Sequence, residues 1–353
     1  MTVAREDAGA RLVPPGVDRF AGALLGLAVG DALGRPTEGK RHDEIRAQPR
    51  GALLAFRGYR DGRLGRDLPP GSWSDDTQQA LLLADALVAG RGLDGRDYAE
   101  RLYALWRSGE ARGYGRVYQK AMERRDAGLG WDAVAVDDDV MNGAAMRIAP
   151  LGLFYWFDPA ALSAAAVRAS QVTHRHPAAV AGAAGVAHAF AYALTRPNGP
   201  AVDAADFVAY LQRQVAPLDA ATAGHLGVLL RAAALLPDEA FGVLSEVPDF
   251  AAPPAAGRGF GVGGMTVSLL LIAAYLFLST GGDYLRAVEG AILLGGDTDG
   301  TAATAGALCA AWRGAGAVPG ALADAVEEAE RIRVLAVLLH ERSLAAARAA
   351  GER

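Results

Sequence analysis

The chain has 353 residues, 52% of them hydrophobic, with a net charge of −5 and a single cysteine. That length allows one large domain with a sizeable core. The acidic balance offers no basic face for nucleic acid, and the lone Cys309 excludes an intrachain disulfide and a thiolate metal cluster. Abundant Ala, Gly and Arg with little Lys read as a GC-rich bacterial source.

The first residues are polar and lack the apolar stretch of a signal peptide. Residues 1–17 are expected to be a flexible extension of a single domain taking in 1–353. Apolar residues at helical spacing then predict helices over 20–33, 77–88, 98–106, 144–154, 162–170, 178–193, 204–214, 222–236, 266–278, 283–293, 301–312, 322–339 and 342–350. Nothing reads as a strand pair, so the class is all-α. Gly22, Gly26 and Gly30 give the first helix a small face for close packing against another helix. The longest loops, 34–74, 109–142, 237–256 and 257–264, are where a site is expected. The most apolar run, 267–278, is too short to span a bilayer, and a cytoplasmic protein is the expectation.

Two stretches place paired acids just ahead of a helix. In "WSDDTQQALLLADAL", Ser74, Asp75 and Asp76 precede a helical pattern. One cap residue accounts for one acid at a helix start, not for two flanked by hydroxyls. In "GGDTDGTAATAGAL", Asp297 and Asp299 follow a glycine pair, Gly295 and Gly296, that permits a tight turn. Carboxylates brought together from both stretches repel unless cations lie between them. An all-oxygen donor set favours Mg²⁺ or Mn²⁺. The same letters, D-x-D-G-T, also fit a phosphoryl-transfer nucleophile of the haloacid dehalogenase type. That reading needs a preceding strand and more chain than the 53 residues after Gly300.

Further candidates lie between these stretches. Asp31 reads as a structural acid near the end of the first helix, and Glu38 as a loop acid within reach of a site. Asn142 and Gly143 open a predicted helix whose free N–H groups suit an anion. Arg147 sits in an apolar run and calls for a structural ion-pair partner. His174 and His176 precede Pro177, where they could cap a helix or contact phosphate or ribose. The run "GRGFGVGG", with Gly261 in it, has the composition of a phosphate-cradling loop but follows no strand.

In order and spacing, "GALLGLAVGDALG" followed by Glu38, then "WSDDTQ", "NGAAMRIAPLG", "THRHP" and "GGDTDGTAATAGAL" resemble the ADP-ribosylglycohydrolases, over about 20–309. The resemblance implies a compact single-domain orthogonal bundle of helices with a binuclear Mg²⁺ or Mn²⁺ centre. It implies hydrolysis of the C1″ glycosidic bond joining ADP-ribose to a side chain, arginine favoured. Ser74, Asp75, Asp76, Asp297 and Asp299 match its metal ligands, and Glu38 its mobile glutamate. Glu38, Asp75 or Asp76 is the group implied to activate water. Asn142, Gly143 and Met146 match its phosphate loop and His174 a ribose-phosphate contact, with Gly261 and Gly296 also on the substrate side. The partner implied is an ADP-ribosylated protein or a small ADP-ribosyl conjugate, met by a monomer away from membranes. Two positions depart from the pattern: Gly300 stands where a Thr or Ser is usual, with Thr301 one residue late, and Met141 stands where a Gly is usual. The first departure keeps open an alternative, an ADP-ribose-binding regulator or immunity protein with weak turnover.

Overall fold

The computed structural model describes residues 13–197, 199, 201–248, 250 and 261–351. Two helices, Val17–Gly34 and Thr298–Arg313, run against each other along their whole length and form the centre of the molecule. Their approach depends on missing side chains. A Cβ on Gly30 would lie 2.4 Å from the Ala302 carbonyl oxygen, and one on Gly34 would lie 2.2 Å from that of Thr298. Glycine disfavours a helix by about 1 kcal/mol relative to alanine, so here the backbone contact offsets the propensity. The predicted small face of the first helix is therefore a helix–helix seam, and its far end reaches Ala310 through Gly22.

Around this pair pack Thr266–Ser279, Tyr284–Leu294, Pro177–Thr195 and the long C-terminal Ala329–Gly351 helix. The Pro177–Thr195 helix is long and apolar enough to cross a membrane, but 89% of its apolar stretch is buried inside this fold. Its start is capped by His176, whose Nδ1 accepts from the Ala178 N–H at 3.2 Å.

Several expectations are corrected. Among the described residues there is one strand pair, Tyr59–Asp61 with Arg66–Leu68, antiparallel and three residues long. Strands this short leave no alternation to read. The predicted 34–74 loop also holds the short helices His42–Arg46 and Arg50–Leu53, and 109–142 holds the helix Arg116–Asp126. The 237–256 loop begins as the helix Pro237–Leu244. Conversely, the 144–154 helix is a 3₁₀ turn at Asn142–Ala144 and a helix only over Ala149–Phe154. The 222–236 helix is broken into Ala220–His225, Leu226–Val228 and Leu229–Ala232. The helices expected at 322–339 and 342–350 are redivided as Gly320–Ala325 and one continuous helix from Ala329, with Glu328 at φ +56° between them. All of 251–260, including "GRGF" of the glycine-rich run, lies outside the described residues.

Candidate active site

The two acid-bearing stretches meet at the ends of three helices. Asp31, near the end of the first helix, is fully buried, and its carboxylate accepts from the Ser74 N–H at 2.9 and 3.0 Å, the Thr77 N–H at 3.0 Å and the Thr77 hydroxyl at 2.6 Å. It thus caps the Asp75–Gly90 helix from outside and fixes where Asp75 and Asp76 point. The Gly295–Gly296 turn is gripped from both sides. Gly296 N–H donates to Lys40 O at 2.7 Å, Gly296 O accepts from Gly39 N–H at 2.8 Å, and Asp297 N–H donates to Val262 O at 3.2 Å. At φ +79° and with Val262 O 2.1 Å from where a Cβ would stand, position 296 accepts only glycine.

The result is a pocket of about 410 Å³. Glu38, Asp75, Asp76, Asn142, Gly143, Met146, His174, Gly296, Asp297 and Asp299 all line it. Two of the candidates do not. Ser74 is buried behind the pocket, with its hydroxyl donating to Asp76 Oδ2 at 3.0 Å. Gly261 packs on Gly296, and its neighbours Val262, Gly263 and Gly264 reach the wall instead.

One oxygen from each of Asp31, Asp76 and Asp299 lies within 4.8 Å of the others, and the same holds for Glu38, Asp297 and Asp299. Burial and then the Asp299 charge push Asp31 up to about 6. Burial pushes Asp75 up to about 7, with Arg35 opposing. Asp76, Asp297 and Glu38 are all held well above the usual carboxylate range, by burial first and then by the charge of Asp299. Glu38 is exposed as a residue, yet its carboxyl end lies against this cluster and its Oε2 accepts from the Thr298 N–H at 3.1 Å. Asp299 is the exception. Burial is the largest influence and would raise it, but Arg35, a hydrogen bond with Glu38 and the Gly300 N–H together bring it down to about 2, with Arg35 Nη1 at 2.6 Å from its Oδ2.

Asp76 Oδ1 is buried and has no hydrogen-bond partner. A buried carboxylate oxygen left without a donor is costly, and its place among other carboxylates fits a cation. The donor set is oxygen only, which fits Mg²⁺ or Mn²⁺ better than a soft metal. Gly300 lies beside it: a Cβ there would be 2.8 Å from Asp297 Oδ1 and 3.1 Å from Asp76 Oδ1. The usual hydroxyl would therefore project between these two carboxylates. Thr301 does not replace it, because its hydroxyl donates to its own helix at Asp297 O.

The wall beside the acids carries hydrogen-bond donors. Asn142 Nδ2 donates to Asp297 Oδ2. Arg147, fully buried, does not take the expected ion pair. Its Nη1 donates to Gln79 Oε1 at 2.6 Å, its Nη2 to Thr173 Oγ1 at 2.5 Å, and its guanidinium stands 5.6 Å from the Tyr98 ring centre. Because arginine only donates, Thr173 accepts from it and donates its own hydroxyl hydrogen bond to His174 Nδ1 at 2.7 Å. The network thereby assigns the His174 proton to Nε2, which is buried, without a partner and next to Gly143. Burial and Arg147 hold this imidazole down at about 3, so it stays neutral. The acids before Met141 do not face the pocket: Asp139 pairs with Arg116 at 2.6 Å and accepts from the Met141 N–H, while Asp137 and Asp138 are exposed.

Arg35, Gln79, Gly113 and Tyr118 also line the pocket and were not singled out from the sequence. For Arg35 a signal existed: it stands between Asp31 and Glu38, immediately after the first helix.

Comparison with known proteins bears on the family and the fold. The ADP-ribosylglycohydrolase family model matches residues 14–349. An ADP-ribosylarginine hydrolase of Pseudomonas putida is 33% identical over 171 residues, 46% of this chain and 43% of that one. The ADP-ribosyl-[dinitrogen reductase] glycohydrolase of Rhodospirillum rubrum is 37% identical over 160 residues, 45% of this chain and 52% of that one. The chain thus spans about half the length of these curated relatives. A solved structure described as an ADP-ribosylglycohydrolase-related protein complex superposes with a TM-score of 0.69 at 30% identity, covering 93% of this chain and 98% of its own.

Proposed function

The chain belongs to the ADP-ribosylglycohydrolase family, and we propose that it hydrolyses the C1″ glycosidic bond of ADP-ribose attached to a protein side chain, arginine first among them, with the help of a divalent cation. The observation that carries this reading is the convergence of Glu38, Asp75, Asp76, Asp297 and Asp299 on one pocket, with a buried Asp76 oxygen left without a donor. The fold likeness also removes the haloacid dehalogenase alternative. The segment before Asp297 is the helix Tyr284–Leu294, not the strand that chemistry requires.

Asp75, Asp76, Asp297 and Asp299, with Glu38, are the residues that would hold Mg²⁺ or Mn²⁺. When bound, such a cation supplies Lewis-acid polarisation of ribose hydroxyls and of water. The chain's own groups do the rest. His174 offers its Nε2–H, and Asn142, Gly143 and Met146 form the surface beside it, so an ADP-ribose would lie with its anionic part on this wall and its terminal ribose at the acids. The Thr298 N–H fixes the Glu38 carboxyl, which takes the proton from the attacking water. The charge that develops at C1″ has oxocarbenium character, as in glycoside hydrolysis generally, and the surrounding carboxylates stabilise it.

The test is release of ADP-ribose from ADP-ribosyl-arginine and ADP-ribosyl-serine in Mg²⁺, in Mn²⁺ and with chelator. Loss of release with chelator, and in Asp75→Asn and Asp297→Asn, supports the reading. Full activity under those conditions refutes it. A second reading, an ADP-ribose binder without turnover, is favoured by Gly300, which removes a hydroxyl from between Asp76 and Asp297. Calorimetric binding of ADP-ribose with no hydrolysis in either cation would select it.

A further inference from the structure

We infer that Arg35 is a built-in cation that takes the place of one of two divalent ions in this pocket, leaving a site for a single ion between Asp76 and Asp297. The inference rests on the metal-dependent reading above and sharpens it.

Arg35 is set into the cluster by the backbone. The first helix ends at Gly34, and the 3₁₀ turn Arg35–Thr37 follows at once. That turn is pinned by Thr37 Oγ1, which donates to Gly34 O at 2.8 Å and meets Thr298 Oγ1 at 3.1 Å. The side chain is only 15% exposed, and its Nη1 pairs with Asp299 Oδ2 at 2.6 Å. The Tyr59 ring lies beneath the guanidinium, 5.3 Å from its centre, and Tyr59 is itself held by its hydroxyl on Trp73 O at 2.8 Å. On the far side, a Cβ on Gly113 would lie 2.8 Å from Asp75 Oδ1 and 3.2 Å from Arg35 Nη2. The loop therefore closes over the guanidinium and Asp75 together, and it can do so because residue 113 has no side chain and adopts φ +45°.

Arg35 and Gly300 draw on different carboxylates. The guanidinium pairs with Asp299 and faces Asp75. The point beside Gly300 is bounded by Asp297 Oδ1 and Asp76 Oδ1, and the latter is buried without a partner. A carboxylate that serves two ions does so most readily with both oxygens free of other cations and donors. In Asp299, Oδ2 is on Arg35 and Oδ1 accepts from the Gly300 N–H at 3.0 Å. A second divalent ion in the Asp75 half would also stand against a fixed positive charge. The one ion that fits lies in the Asp76–Asp297 half. There Gly300 supplies no hydroxyl, so the ion completes its oxygen shell with water.

The test is manganese stoichiometry of the full-length protein by equilibrium dialysis and elemental analysis, with electron paramagnetic resonance reporting whether bound ions are coupled. The expected result is one uncoupled Mn²⁺ per chain in the wild type. Arg35→Ala and Arg35→Gln should bind two coupled ions, while Arg35→Lys, which keeps the charge, should stay at one. Two ions in the wild type overturn the inference without any variant being needed. One ion in a folded Arg35→Gln overturns the role of Arg35. No Mn²⁺ bound by any form overturns the metal reading itself, a different result from either.

Discussion

At the scale of single residues, the pocket is tuned by side chains that orient the acids as much as by the acids. Asn142 is one: its amide donates to Asp297 Oδ2, turning Oδ1 toward Asp76. Partners of this kind set metal affinity, and removing one typically costs about 10–100-fold. Asn142→Ala should therefore weaken Mn²⁺ binding by that order in calorimetry while leaving the fold intact; an unchanged dissociation constant would show that Asp297 needs no orienting. Thr173 is another. Thr173→Val would strip a partner from the buried Arg147 and from His174 Nδ1. It should cost about 1–3 kcal/mol of stability in a denaturant titration and raise KM for the ADP-ribosyl substrate more than it lowers kcat. The acids were legible in the sequence because Asp pairs at helix starts exceed what capping requires. Arg35 had only its place between Asp31 and Glu38 as a signal, and a single arginine after a helix reads first as a solvated surface residue; the folded chain shows it enclosed by Tyr59, Asp299 and Gly113. Asp31 was read as structural, and it does cap the Asp75 helix. Its place beside Asp76 and Asp299 is a tertiary fact that no local pattern carries.

At the scale of elements, the site depends on one seam. The Val17–Gly34 and Thr298–Arg313 helices bring Asp31 and Arg35 from one side against Asp297 and Asp299 from the other. Gly30→Ala would drive a methyl group against the Ala302 carbonyl, 2.4 Å away, and backbone cannot yield as a side-chain tip can. Overpacking of this kind costs about 1–3 kcal/mol. The variant should melt earlier and, because the strain lies one turn from Asp299, should also bind Mn²⁺ more weakly. A Gly224→Ala control, at a glycine with open space around it, should do neither. The long helices of this seam were readable from apolar periodicity and from glycines at four-residue spacing. The pieces between them were not. Short elements such as Tyr59–Asp61 or Asn142–Ala144 have too few residues for a period, and tertiary contacts hold them: Tyr59 by Trp73, and Asn142 by the Gly264 carbonyl.

At the scale of the whole molecule, the acid cluster should govern how stability depends on pH, with opposite signs in the metal-free and metal-loaded protein. Unfolded carboxyls titrate near about 4. In the fold Asp31 rises to about 6 and Asp75 to about 7, with Asp76, Asp297 and Glu38 also raised. Through that window the folded state binds more protons than the unfolded one, so stability falls as pH rises. Two buried histidines work the other way. His174, down at about 3, and His188, down at about 4, are both lowered chiefly by burial. Below about 6.5 the unfolded chain protonates its histidines and the folded chain does not, so their effect is to lose stability as pH falls. Asp299, lowered to about 2, acts only below about 4 and leaves the window untouched. Five raised carboxyls outweigh two lowered imidazoles, and the metal-free protein should melt at progressively lower temperature from about pH 5 to about pH 7.5. A bound divalent cation removes the carboxyl contribution by displacing their protons, leaving the histidines, so the loaded protein should instead lose stability on acidification. The gap between the two melting temperatures should therefore widen steadily with pH, read by scanning calorimetry with chelator or with saturating Mn²⁺. A gap that stays constant across the range would mean that the carboxyls are already ionised before the cation arrives.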